Sequence, residues 1–123
     1  MKTYRELDVW KQAMDMVVAV YKITAEFPAQ EKYGLASQMQ RAAVLIPANI
    51  AEGYGRLHRG DYVHHLSIAR GSLAELETDI TIAVRLDFIQ REDAMPLWDM
   101  GQHVGQMLTK LIQSLKRQEK KIP

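Results

Sequence analysis

The feature that most constrains this chain is a four-and-three alternation of apolar and small residues that recurs in four segments. From Asp61 to about Phe88 it runs without a break through Tyr62, Leu66, Ala69, Leu73, Leu76, Ile80 and Ala83. Side chains at those steps share one face of an α-helix, whereas a half-buried strand alternates with period two. No strand-like alternation occurs anywhere. The same spacing marks Trp10, Met14, Val17 and Tyr21 as a buried stripe over residues 7–27. It marks Leu35, Met39, Ala42, Ile46, Asn49 and Gly53 over 31–58, and Leu97, Gly101, Val104, Leu108, Leu111 and Leu115 over 92–118. Four helices joined by short loops within 123 residues predict one all-α domain spanning 1–123, an antiparallel up-and-down four-helix bundle.

Proline and glycine set the expected boundaries. Phe27-Pro28 closes the first helix, because a residue before proline is pushed out of the helical region. Pro47 falls inside the second, where its ring removes a donor and crowds the carbonyl four residues back, so a kink is expected around residues 43–47. Gly60-Asp61 supplies a turn and an N-cap for the third helix, and Pro96 fits the first turn of the fourth.

The helices carry more apolar residues than one stripe needs: Val18, Val20, Val63, Ile68, Ile82, Met100, Met107 and Ile112. A monomeric bundle keeps the surface beyond an arc of roughly 100° polar. The surplus predicts a homo-oligomer.

The formal charge is +1, with no cysteine and no apolar run near the ~20 residues that span a bilayer. These facts exclude a disulfide framework and a thiolate metal site, give no membrane partner, and with no secretory leader at Met1 lead to a cytoplasmic expectation. The near-neutral total conceals segregation. Residues 71–100 hold two Arg against seven acids, residues 41–70 four Arg against two acids, and residues 101–123 five Lys/Arg against one Glu.

Two basic clusters are therefore candidate nucleic-acid contacts. The glycine-interrupted corner Gly53 to Gly60 carries Arg56, His58 and Arg59 beside Tyr54, a mixture suited to phosphate contact and base stacking, or simply a solvated connection. The tail carries Lys116, Arg117, Lys120 and Lys121, which either complement the negative end of the last helix or meet phosphate.

On the second helix Arg41, Asn49, Glu52 and Arg56 share a face, with Glu52 and Arg56 an i,i+4 pair of favourable order. With Glu75, Glu77 and Asp79 on the acidic third helix, they are expected to form a structural polar network, within one chain or across subunits. His64 and His65 are adjacent and diverge by about 100° on a helix, so they do not share a metal ion. Glu75, Glu77 and Asp79 do not converge either. Neither a catalytic constellation nor a metal or cofactor site is discernible.

The strings Leu7-Asp8-Val9-Trp10, Phe27-Pro28, Tyr33-Gly34-Leu35, Arg41-Ala42-Ala43, Ile46-Pro47-Ala48-Asn49-Ile50-Ala51-Glu52-Gly53 and Leu66 through Leu76 resemble the 23S rRNA intervening-sequence proteins. The likeness covers the chain to about Phe88. Leu45 stands where that family commonly has a small polar residue, and Arg70 where a neutral one is usual. The resemblance implies an up-and-down bundle assembled into a ring, a homopentamer, with no catalytic residues to carry over. Related accessory proteins of diversity-generating retroelements bind nucleic acid and a reverse transcriptase through a basic ring surface, which makes RNA or DNA, and a protein of that kind, the implied partners. The alternative is a protein–protein adaptor or assembly scaffold that binds no nucleic acid.

Overall fold

The computed structural model describes residues 3–120. Four helices form in chain order: α1 (Asp8–Thr24), α2 (Leu35–Tyr54), α3 (Arg59–Arg85) and α4 (Arg91–Lys120). Short 3-10 turns at Tyr4–Glu6 and Ala29–Glu31 precede α1 and α2. Each helix packs against its neighbours around a square, α1 on α2 and α4, α3 on α2 and α4. The connections are too short to cross the bundle, so successive helices run antiparallel.

The core is the expected seam over most of its length. Leu66, Ala69, Leu73, Leu76, Ile80 and Ala83 of α3 are buried and Tyr62 is half-buried; Leu97, Val104 and Leu108 of α4 meet them. On α4 the seam then passes to Ile112, which is buried, while Leu111 and Leu115 are half-buried. Ile112 is thus core rather than surplus.

On α1 the expected stripe is displaced. The buried residues are Val9, Ala13, Met16, Val20 and Thr24, whereas Met14 and Tyr21 are exposed and Trp10 and Val17 half-buried. Two adjacent stripes on α1 both obey the four-and-three spacing. The core takes the one with Ala13 and the flexible Met16, whose sulfur lies beside Gly101 of α4, because this seam is narrow and thioether side chains fill irregular gaps. The bulkier stripe is left at the α1–α2 surface.

Boundaries differ as well. Residues 31–34 form a turn rather than the first turn of α2, since Gly34 at the N-cap adopts φ −110, ψ −117, outside the helical region. At the other end α2 stops at Tyr54. The N-cap of α3 is His58, in extended conformation, whose carbonyl accepts from the Asp61 and Tyr62 amides. Gly60 and Asp61 therefore lie inside the first turn, where the Asp61 carboxylate meets the positive helix end. Helix α4 starts at Arg91, with the Gln90 carbonyl accepting from Asp93 and Ala94, so Pro96 falls in the second turn rather than the first. Pro47 is buried inside α2, which stays helical on both sides of it.

Candidate nucleic-acid interface

The corner between α2 and α3 is built by hydrogen bonds that close one helix and open the next. Gly55 caps α2 with its amide on the Ala51 carbonyl, and the Arg56 amide donates to Gly53. Two residues later His58 starts α3. Between them Leu57 projects into solvent at 98% exposure, flanked by exposed Arg56 and His58 and half-buried Arg59. Arg56 donates to the Glu52 carboxylate at 2.6 Å, and both side chains are about half exposed. A solvated pair of this kind contributes little stability, and it holds the guanidinium at the bundle end.

Antiparallel order collects the basic segments. Leu73 of α3 lies against Gly101 and Gly105 of α4, so the first turn of α3 falls level with the last turns of α4. The end of α2, the start of α3, the end of α4 and the turn before α1 therefore share one end of the bundle. That end carries exposed Arg56, His58, Lys116 and Arg117 with half-buried Arg59. Lys121 lies outside the described residues, as does the side chain of Lys120.

Arg5, which sequence reasoning missed, also stands at this end. Its guanidinium sits 5.6 Å from the Tyr4 ring and 5.8 Å from that of Trp10, the two rings packing edge to face. A cation over aromatic faces is held without losing its charge. The signal available was topological: the start of the first helix must join the start of the third.

The polar line on α2 finds different partners from those expected. The Asn49 amide nitrogen donates to the Leu45 carbonyl at 2.8 Å, and its oxygen accepts from His65 Nδ1 of α3 at 3.1 Å. Glu52 pairs within α2. Arg41 and Glu75 are both exposed, and neither makes an ion pair among the described residues. Glu77 accepts from Gln102 of α4, and its burial raises its carboxyl above the ordinary range more than that hydrogen bond lowers it.

Asp79 is 5% exposed, and its Oδ2 has no hydrogen-bond partner among the described residues. Burial, with the like charge of Glu75 adding to it, raises its carboxyl above the ordinary range. The Tyr62 hydroxyl is pushed up to about 12 by burial and by Tyr54, whose ring it meets edge to face. Among the described residues no three His, Asp or Glu side chains converge as metal ligands, and no helix is long and apolar enough to cross a membrane. A shallow groove of about 260 Å³ runs between α1 and α2, lined by Tyr4, Trp10, Met14, Val44, Pro47 and Ala51.

Fold and surface together define a small all-α bundle, one end of which gathers Arg5, Arg56, Arg59, Lys116 and Arg117 beside Glu6, Asp8, Glu52 and Asp61. The chain belongs to the 23S rRNA-intervening sequence protein family, whose sequence profile matches residues 5–110. The structure is similar to the 1.70 Å crystal structure of a protein of unknown function from the S23 ribosomal protein family of Bacteroides thetaiotaomicron. The TM-score is 0.77 at 23% identity, over 85% of this chain and 97% of that one. No curated protein matches the chain.

Proposed function

We propose that this chain is a non-enzymatic, self-associating bundle, a homopentamer, that binds RNA or another nucleic acid through its basic end. The observation that carries the reading is the gathering of Arg5, Arg56, Arg59, Lys116 and Arg117 at one end by antiparallel topology. The charge that the sequence distributes over three separate stretches thereby becomes one surface. An end patch repeated by rotational symmetry presents many cations to one polyanion, which a chain of formal charge +1 does not do alone.

Phosphate contact by Lys and Arg releases counterions, so affinity falls with salt by roughly 0.9 per neutralised phosphate on a log–log plot for a duplex. Affinity for a structured RNA is expected to drop steeply between 50 and 200 mM salt, roughly tenfold or more. The Arg56→Glu/Arg59→Glu double variant is expected to bind at least about tenfold more weakly while retaining its helical circular dichroism. Undetectable or salt-insensitive binding to both RNA and DNA at low salt overturns the proposal.

A further inference from the structure

Where the last turns of α3 meet the first turns of α4, the two helices enclose an open groove of about 510 Å³. Its floor is aliphatic: Ile80 and Ala94 are buried, Val84 is half-buried, and Met95 is 43% exposed. Antiparallel order gives the groove a direction. Arg85, the last residue of α3, and Arg91, the first of α4, stand together at the loop end, whereas Ile80 and the half-buried Trp98 lie further along. The groove therefore runs from cationic to apolar over the rise from Arg91 to Trp98, about 10 Å.

Both arginines are exposed, and neither makes an ion pair among the described residues. No carboxylate among the described residues lines the groove, and Asp93, two residues beyond Arg91, lines a separate depression beside Lys22. Arg85 complements the negative end of α3, so its place has a local cause. Arg91 has none of that kind. It stands at the positive end of α4, where a cation is disfavoured, and it shares the groove with a second cation. An anion held between the two offsets both costs. The Thr81 hydroxyl on the rim already donates to the Glu77 carbonyl, so the donors free to meet an anion belong to the arginines.

We propose that this groove binds a small linear amphiphile, a medium-chain carboxylate, with its head between Arg85 and Arg91 and its chain laid over Val84 and Met95 toward Trp98. The volume is that of a small-molecule site, mostly apolar with a few placed polar groups. Guanidinium groups hold a carboxylate by charge-assisted hydrogen bonds, and the aliphatic floor takes the chain out of water. A floor of aliphatic side chains, with the one indole at its far end, suits a flexible chain better than a flat ring. The site is separate from the basic end that carries Arg56 and Arg59, since those residues lie at or before the start of α3 and this groove lies at its close, about 40 Å away along the helix.

The chain has two tryptophans, so in the full-length Trp10→Phe protein the emission of Trp98 reports on the groove directly. Decanoate, added at neutral pH below its micellar concentration, is expected to change that emission saturably, with one molecule bound per chain. It is expected to bind at least about tenfold more tightly than decanol, which has the same chain and no charge. Decyltrimethylammonium is expected to bind more weakly than either. The Arg85→Gln/Arg91→Gln double change is expected to bring decanoate down to the affinity of decanol. Met95→Asp, which sets a negative charge on the floor, is expected to abolish decanoate binding. All three substituted side chains are exposed, so helical circular dichroism is expected to be unchanged. Decanoate that shows no saturable binding, that binds no more tightly than decanol, or that keeps its affinity in either variant overturns the proposal.

Discussion

Asp87 is the one described residue other than glycine with positive φ, 61°. It follows Leu86 at the end of α3, where its amide donates to Val84 and the next amide, of Phe88, reaches back to Ala83. That pattern is the Schellman ending, whose left-handed position usually holds glycine. Aspartate tolerates it at a steric cost and adds a negative charge to the negative helix end. Asp87→Gly is expected to raise unfolding free energy by about 0.5–1 kcal/mol, read from the denaturant midpoint at unchanged slope.

Asp79 is a second single-residue cost. Its folded carboxyl is raised by burial and by Glu75, so the native state holds that proton more tightly than the unfolded chain. Such a group penalises folding above its folded pKa, and the penalty disappears as pH falls below its unfolded value of 3.8. Asp79→Asn is therefore expected to raise the unfolding midpoint at pH 7 and to lose that advantage toward pH 3.5. A gain that is equal at both pH values would mean that charge is not the cause. Neither feature was legible in the sequence. Asp87 sits among ordinary loop residues, and Asp79 shares a run of acids whose burial depends on the neighbouring helix.

At the scale of elements, the α2–α3 pair shows what the sequence reveals and what it withholds. The four-and-three pattern located both helices and made Gly53 a seam residue. A Cβ at Gly53 would lie 2.8 Å from His65 Cβ and 3.2 Å from the Tyr62 carbonyl, so glycine sets how closely these helices approach. Gly53→Ala must separate them and strain the Asn49–His65 hydrogen bond. The expected loss is about 1–3 kcal/mol despite alanine's better helix propensity, measured by chemical denaturation. The partner of Asn49 was not legible, because a half-buried amide announces only that it needs a partner, and three acids on α3 were as plausible by type as one histidine. On α1 the spacing was correct and the register wrong. Trp10, Met14, Val17 and Tyr21 look like core by size, but this seam admits Ala13 and Met16. Periodicity gives the angle between stripes, while the width of the gap that each must fill belongs to the neighbouring helices.

At the scale of the molecule, up-and-down order was readable from four long segments and short loops. The clustering of basic residues follows from that order, although charge totals along the chain do not reveal it. If the basic end binds polyanions and copies self-associate as proposed, affinity depends on assembly as well as on the cations. Each copy contributes a weak end, and ends held on one ring engage one strand at high effective concentration, which strengthens binding by roughly 10²–10⁴ without any new contact. Diluting the protein until it dissociates removes no cation, yet it is expected to weaken RNA binding per chain at least about tenfold and to reduce the steepness of its salt dependence, since fewer phosphates are neutralised by each binding unit. Titrating one fluorescent RNA with wild type and the Arg56→Glu/Arg59→Glu variant across salt, with light scattering at the same protein concentrations, separates the two contributions. The arginine variant is expected to remain assembled and bind weakly at every salt concentration. A dissociated wild type that binds with the affinity and slope of the assembled protein would mean that one basic end suffices, and that assembly serves some purpose other than gathering charge.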